Sequence, residues 1–151
     1  ARGLSLGLNC SLHGITTFYA VALASARRIG SNETTNLWVI LNSRSSNFFL
    51  QKFKLKSGSL EAAGCPVSAD ESSIHENLAG SRSVITGDGA TQIRLNYELR
   101  KKIQIIPDCR KSSVSLIAEL AVKRGASETR GNPNALYMSS PKVTIAEKHV
   151  S

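Results

Sequence analysis

The chain has 151 residues, of which 41% are hydrophobic, a share that suits one folded domain and excludes a disordered tail. Its 19 lysines and arginines against 11 aspartates and glutamates give a net charge of +8, which favours an anionic partner. The longest apolar run, residues 15–26, is shorter than the roughly 20 residues that cross a bilayer. Length and composition therefore exclude a transmembrane protein, a collagen, a coiled coil and a multidomain enzyme.

The charge is segregated along the chain. Residues 1–60 carry a net +6, residues 61–90 a net −4, and residues 91–151 a net +6.

The three cysteines, Cys10, Cys65 and Cys109, are far apart and form no Cys-x-x-Cys pair, which excludes a zinc ribbon. We predict neither a metal nor another cofactor.

The N-terminal third reads mainly as strands. Leu4, Leu6 and Leu8 alternate with small or polar residues, which predicts a strand. Residues 16–26 combine aromatic residues with alanines, and the glycines on either side favour a strand there too. Residues 37–41 predict a buried strand, and residues 42–47 a turn.

Residues 48–56 predict a strand with two distinct sides. Lys52, Lys54 and Lys56 fall on one side, and Phe49, Phe53 and Leu55 on the other. Residues 57–90 show no strong period and read as a long loop, with a short strand at 83–86 as its one candidate element. Gly87-Asp88-Gly89 then predicts a turn.

Residues 91–106 predict one long strand, because apolar and polar side chains alternate over about 14 residues where five or six are usual. Such a strand needs a broad sheet or a partner chain to cover it. One face would carry Ile93, Leu95, Tyr97, Leu99, Ile103 and Ile105. The opposite face would carry Gln92, Arg94, Asn96, Glu98, Arg100, Lys102 and Gln104.

The C-terminal part predicts helices followed by a last strand. A helix over residues 114–124 would be capped by Ser112 or Ser113 and stopped by Gly125. A second short helix would cover residues 134–138, and residues 142–150 alternate like a strand. The fold class is therefore α+β: an antiparallel sheet with an N-terminal hairpin and C-terminal helices on one face.

The other face of that sheet would be polar and basic. Lysines and arginines beside Asn and Gln suit contacts to phosphates and bases, so this face is predicted to bind nucleic acid. Its cations are Lys52, Lys54, Lys56, Arg94, Arg100 and Lys102.

Residues 94–138 resemble the C-terminal part of the coat proteins of single-stranded RNA bacteriophages of the levivirus type. The resemblance lies in Leu95-Asn96-Tyr97-Glu98-Leu99 on a long strand, a following helix, and Gly131-Asn132-Pro133 before a short helix. It implies one coat-like domain over residues 1–151, with the 57–90 loop at the symmetry axes of a shell and residues 139–151 as a C-terminal extension. The sheet would continue across a homodimer.

The resemblance also implies a function. The chain would be a capsid protein that assembles into icosahedral, virus-like particles in the bacterial cytoplasm and remains in the virion. Its inner sheet face would bind single-stranded RNA, including an operator hairpin whose binding represses translation. Asn96 and Glu98 would lie on the RNA face, and Arg94 would occupy the place of a stacking aromatic residue. No catalysis, membrane or small-molecule substrate is expected.

Two other interpretations stay open. The first is a cellular basic module that binds RNA or DNA without forming particles. The second is a small ribonuclease, in which His13, His75 and His149 with Glu76 or Glu98 would supply an acid–base pair, although no motif supports it.

Overall fold

The computed structural model describes residues 1–29, 34–43, 47–106, 114–125 and 136–138. These residues form an α+β fold with five helices and one mixed six-stranded sheet. In chain order the elements are α1 Arg2–Gly7, α2 Thr17–Ile29, β1 Thr35–Asn42, β2 Phe48–Lys56, β3 Ser59–Ala62, β4 Val67–Ala69, α3 Glu71–Ala79, β5 Ser83–Thr86, α4 Tyr97–Lys102, β6 Ile103–Ile105 and α5 Val114–Gly125.

The sheet has the strand order β3-β2-β1-β5-β6, and β4 also pairs with β2. Strand β2 is antiparallel to β1, β3 and β4. Strands β1, β5 and β6 are parallel to one another. The predicted all-antiparallel sheet is therefore wrong: the chain returns to β5 through β2, β3, β4 and α3, and it passes from β5 to β6 through α4, which makes both pairings parallel.

Helices cover both faces of this sheet. On one face, α2 packs through Phe18 and Val21 against a cluster that includes Val39 and Phe53, and α5 lies beside α2. On the other face, α3 and α4 pack on Trp38, Ile40 and Leu50. The predicted basic face of two strands does not exist in this form, because Arg100 and Lys102 lie on helix α4 and not on a strand, while Lys54 and Lys56 on β2 are exposed.

Both N-terminal segments predicted as strands are helices. In α2 the buried residues Phe18, Val21, Ala22 and Ser25 recur at spacings of three and four, so they form one helical face. The hydroxyl of Thr16 accepts a hydrogen bond from the N–H of Tyr19 and so satisfies one donor of the first turn. The backbone hydrogen bonds around α1 join residues within the first ten positions, so this segment needs no neighbouring strand as a partner.

The long strand predicted over residues 91–106 is also wrong. Asn96 begins α4, since its side chain accepts a hydrogen bond from the N–H of Leu99, and strand structure starts only at Ile103. A spacing of two contains a spacing of four, so the pattern that predicted a strand also permits a helix; of the buried residues Leu95, Leu99 and Ile103, only Leu99 lies within α4. Tyr97, which fits only the strand pattern, is 71% exposed.

The predicted loop over residues 57–90 contains β3, β4, α3 and β5, of which only β5 at residues 83–86 was expected. The cap of α3 is Asp70, which accepts a hydrogen bond from the N–H of Ser73. Helix α3 buries only Ile74 and Leu78, so this mostly polar segment shows too few apolar residues for a helical period to be recognised.

The predictions for β1, β2 and α5 are confirmed, with helix α5 ending at Gly125. Residues 136–138 are not helical, contrary to the prediction. The proposed caps Ser112 and Ser113, the remainder of the second short helix and the strand at 142–150 lie outside the described residues.

Candidate functional site

The residues predicted to bind RNA lie on two different kinds of element, strand β2 and the segment that contains helix α4. Lys52 is half-buried, with its Nζ 5.4 Å from the centroid of the Trp38 ring. Lys54 and Lys56 are exposed near the end of β2. The lysine side of β2 thus supplies one cation–π contact and two solvated charges.

The other predicted residues serve the segment around α4. The N–H of Arg94 donates to a carboxylate oxygen of Glu71, and Asn96 caps the helix. Glu98 lies 3.7 Å from Lys101, and the Nε of Arg100 donates to the carbonyl oxygen of Leu95 at 3.0 Å. Lys102 is the last residue of the helix. These contacts stabilise the segment around α4. Because this segment is helical, its residues do not line up on the predicted strand face.

An open cleft of about 1090 Å³ lies where the segment before α2 meets the ends of β1 and β2 and residues 136–138. Its apolar floor includes Phe18, Leu41, Phe49 and Met138, all of which belong to or pack on the core beside α2. Its polar rim is formed by Arg2, His13, Thr16, Thr17, Asn42 and Tyr137. None of the described residues that line it is acidic.

The start of α2 adds donors to this cleft. Thr16 satisfies the N–H groups of Tyr19 and Ala20 through its hydroxyl and its carbonyl oxygen. The N–H groups of Thr17 and Phe18 have no hydrogen-bond partner among the described residues. The first N–H groups of a helix carry a partial positive charge, so this wall favours negative charge.

The turn Gly87-Asp88-Gly89 fixes the end of β1 that borders the cleft. The N–H of Gly89 donates to the carbonyl oxygen of Ile40 at 3.0 Å, and a carboxylate oxygen of Asp88 accepts from the N–H of Asn42 at 3.0 Å. Gly87 has φ of +103°, and a methyl group there would lie 2.2 Å from the same carbonyl oxygen. The turn was predicted from the sequence, but its contact with β1 was not.

A second surface is formed by the leucines of the first eight residues. Leu4, Leu6 and Leu8 are 69%, 83% and 72% exposed, and none of the residues of α1 is buried. Single exposed leucines are ordinary, whereas three within five residues concentrate apolar surface around this short helix, with Leu4 and Leu8 on one side and Leu6 on the opposite side. We call these three side chains the leucine surface.

One carboxyl group lies at the start of α3. The hydroxyl and the N–H of Ser73 both bond to Asp70 and hold the pKa of that carboxyl below its ordinary value of 3.8. The Nε2 of His75 is buried without a hydrogen-bond partner in the described structure. Within the described ranges, no three His, Cys, Asp or Glu side chains are grouped to hold a metal, and no helix is long and apolar enough to span a membrane.

Sequence reasoning missed both surfaces, although some signals were present. The sequence Thr16-Thr17 directly before an apolar run is a cap signal for α2. His13, which the sequence offered as a general acid or base, lies among the residues that line the cleft. Nothing in the sequence places Met138 next to Phe49, since 88 residues separate them, and only the fold brings them together.

Comparison with solved structures shows the fold. YeaZ from Pseudomonas aeruginosa superposes with a TM-score of 0.60 and 12% identity, over 83% of this chain and 57% of its own. An uncharacterized protein with similarity to peptidase YeaZ from Pseudomonas aeruginosa gives a TM-score of 0.58 and 14% identity, over 91% of this chain and 63% of its own. The chain thus spans about three fifths of either structure. No family model and no curated protein sequence matches it.

These findings overturn the coat-protein interpretation. The YeaZ-like fold has a mixed sheet covered on both faces, whereas the levivirus resemblance required an open antiparallel sheet continued across a dimer. The predicted capsid function, single-stranded RNA partner, homodimer, icosahedral shell and virion localisation were derived from that resemblance and are wrong with it. The alternative interpretations as a nucleic-acid-binding module or a ribonuclease gain no support either.

Proposed function

We propose that this chain is a protein-binding domain of a YeaZ-like protein and that its partner docks on the leucine surface. The observation that carries the proposal is the exposure of Leu4, Leu6 and Leu8, each by more than two thirds. Fully burying a leucine side chain is worth about 1.5–3 kcal/mol, so covering this surface would supply several kcal/mol of binding free energy.

A partner that covers the leucine surface would also stabilise the segment of helix α1. A helix of six residues is marginal in water, because the cost of nucleation is spread over few hydrogen bonds. Arg2 is the one charged side chain in α1, so the surface offers little to a highly charged partner. An apolar protein surface suits it best.

The comparisons suggest which protein surface this is. In the two structural neighbours, 57% and 63% of the chain corresponds to this one. We infer that the remaining part of the YeaZ-like architecture, on this polypeptide or on another, covers the leucine surface. The second structural neighbour is described as similar to a peptidase, but for this domain we keep the sequence-based expectation that it binds without catalysis.

Site-specific photo-crosslinking tests the proposal. Leu6 is replaced by a photoreactive phenylalanine derivative in cells that make the protein, and Val67, which is 48% exposed on β4, receives the same group as a matched control. We expect one adduct of defined size at position 6 and none at position 67. Its peptides, identified by mass spectrometry, should come from a protein segment with the rest of a YeaZ-like fold.

Three results contradict the proposal: equal labelling at the two positions, no adduct at position 6, or an adduct with a second copy of this chain alone.

The expectation of no catalysis is checked separately. Purified protein incubated with an unstructured protein substrate should release no new amino termini above a heat-inactivated sample. Hydrolysis that is lost in a His13→Ala variant would show that the domain is an enzyme.

A further inference from the structure

We propose that residues 4–10 leave helix α1 and add as a strand to the free edge of a sheet in the protein that docks on the leucine surface. This inference rests on the proposed function, because it describes how that surface is used. It starts from a conflict between the pattern of the segment and its structure. Residues 4–10 alternate like a strand, whereas Arg2–Gly7 forms a helix none of whose residues is buried.

The helix divides the leucine surface. Leu4 and Leu8 are about one helical turn apart and lie on one side, while Leu6 lies on the opposite side. One flat partner surface therefore covers either Leu6 or the other two. In a strand, residues two apart point to the same face, so all three leucines would join Cys10 on one apolar face. A strand thus presents the whole leucine surface to one partner.

The opposite face of such a strand would be uncharged. It would carry Ser5, Gly7 and Asn9. Charged side chains and prolines are the usual protection of an edge strand against pairing, and residues 3–10 contain neither. The absence of charge also fits a neutral, apolar sheet edge better than a charged surface. The segment therefore lacks the features that prevent strand addition.

The helical form of the segment is weakly held. Its backbone bonds are local, such as those from the N–H of Ser5 to the carbonyl oxygen of Ala1 and from the N–H of Leu8 to that of Leu4, at 3.0 and 2.9 Å. Two of its six residues are glycines, and each disfavours a helix about fivefold relative to alanine. Asn9, directly after the helix, has φ of +49°, a region that residues other than glycine seldom adopt. A strand can therefore replace this helix at low cost.

The partner is defined by what a donated strand requires. It needs a sheet edge with unpaired N–H and C=O groups, next to an apolar surface that three leucines can cover. Main-chain hydrogen bonds to that edge supply affinity, and the alternate side chains fix the register. Conversion of six residues from helix to strand lengthens them from about 9 Å to about 20 Å. The segment can then reach an edge that lies apart from the rest of this domain.

Photo-crosslinking at successive positions distinguishes a strand from a helix. The photoreactive phenylalanine derivative replaces Leu4, Ser5, Leu6, Leu8 or Asn9, one at a time, in the full chain and in the cells that make it. We expect strong adducts at positions 4, 6 and 8, and adducts at least about threefold weaker at positions 5 and 9. A helix that docked unchanged would instead label positions 4 and 8 more strongly than position 6.

Two substitutions of Gly7 test the same point by the sign of their effect. Alanine forms helices better than threonine by up to about threefold, whereas threonine is favoured in strands by up to about fivefold. The purified chains carry the photoreactive group at position 6 and are titrated into lysate of the same cells. Gly7→Thr should reach half-maximal adduct at a concentration at least about threefold lower than Gly7→Ala.

The chain supplies a matched control for this pair. A methyl group at Gly7 meets nothing within 4 Å, so both variants should keep the fold. Gly64 lies outside the segment and has equally open surroundings. Gly64→Ala and Gly64→Thr should therefore reach half-maximal adduct at the same concentration.

The possible results separate this inference from the proposed function. Labelling at position 6 that is matched at 5 and 9, or weaker than at both 4 and 8, would overturn strand addition and leave the proposed partner in place. The same holds if Gly7→Ala binds as tightly as Gly7→Thr, or if the pair at Gly64 differs as much as the pair at Gly7. The absence of a protein adduct at every position would overturn both, including the case in which the leucines contact lipid.

Discussion

Replacing Gly87 by alanine will destabilise the protein more than replacement of any other glycine with described surroundings. Two causes act together. The φ of +103° is one that side-chain-bearing residues rarely adopt, and the new methyl group would lie 2.2 Å from the carbonyl oxygen of Ile40. The backbone strain costs about 1–3 kcal/mol. The forced shift of β1 against the turn costs about 1–3 kcal/mol more.

The chain supplies two matched controls. Gly58 also has a positive φ, of +78°, but a methyl group there meets nothing within 4 Å. Gly58→Ala should therefore lower the free energy of unfolding only by the backbone strain, about 1 kcal/mol. Gly64 has neither the positive φ nor a close neighbour, so Gly64→Ala should change stability by less than about 1 kcal/mol.

Urea unfolding followed by tryptophan fluorescence measures these differences. Trp38 is the single tryptophan, is 7% exposed and lies on β1, so its emission reports directly on the strand that Gly87 contacts. The expected order of lost stability is Gly87, then Gly58, then Gly64. If Gly87→Ala cost no more than Gly58→Ala, the close approach of the turn to β1 would not be a constraint, and the reasoning about this edge of the cleft would be wrong.

Three further predictions concern single contacts. Ser25→Ala should cost about 1–3 kcal/mol by leaving the buried hydroxyl of Thr86 without the partner that lies 2.9 Å away, and adding Thr86→Val should recover most of that loss; additive losses would refute this. Asp70, whose pKa is lowered by Ser73, stabilises the fold above pH 3.8 and loses that contribution as the pH falls through its lowered pKa. The urea midpoint of Asp70→Asn should therefore approach that of the parent chain between pH 7 and about pH 2.5, and a constant difference would contradict the assignment. Asn96→Ala should cost about 1 kcal/mol in the same assay while Asn96→Asp costs less, whereas a neutral Asn96→Ala would remove the role of this side chain as a helix cap.

The strands show how far periodicity alone can be trusted. In β2 the alternation of Phe49, Phe53 and Leu55 with lysines was predicted correctly, and neighbouring strands on both sides hold this segment extended. In residues 93–103 the same alternation predicted a strand, whereas the structure has helix α4 there. Leu95, Leu99 and Ile103 are each four residues apart, which also fits a helix, and the cap at Asn96 begins α4 in this segment.

The candidate site was less predictable than the elements. Its lining comes from the segment before α2, from β1 and β2, and from residues 136–138, which are distant in sequence. No local pattern connects them. The leucine surface was visible as a pattern but was assigned to a strand, since exposure cannot be read from alternation.

The sequence by itself determined the charge of +8, the strands β1, β2 and β5, and helix α5, because each carries a local pattern that only one structure satisfies. Tertiary structure decided the rest. It chose helix over strand at α2 and α4, where one apolar spacing serves both, and it packed α3 and α4 on Trp38, Ile40 and Leu50. The predicted basic face of two strands is absent because the cap at Asn96 starts helix α4 where the long strand was expected, although Lys54 and Lys56 on β2 do meet solvent: alternation defines the two sides of a strand, but only hydrogen bonding and packing decide whether the strand forms.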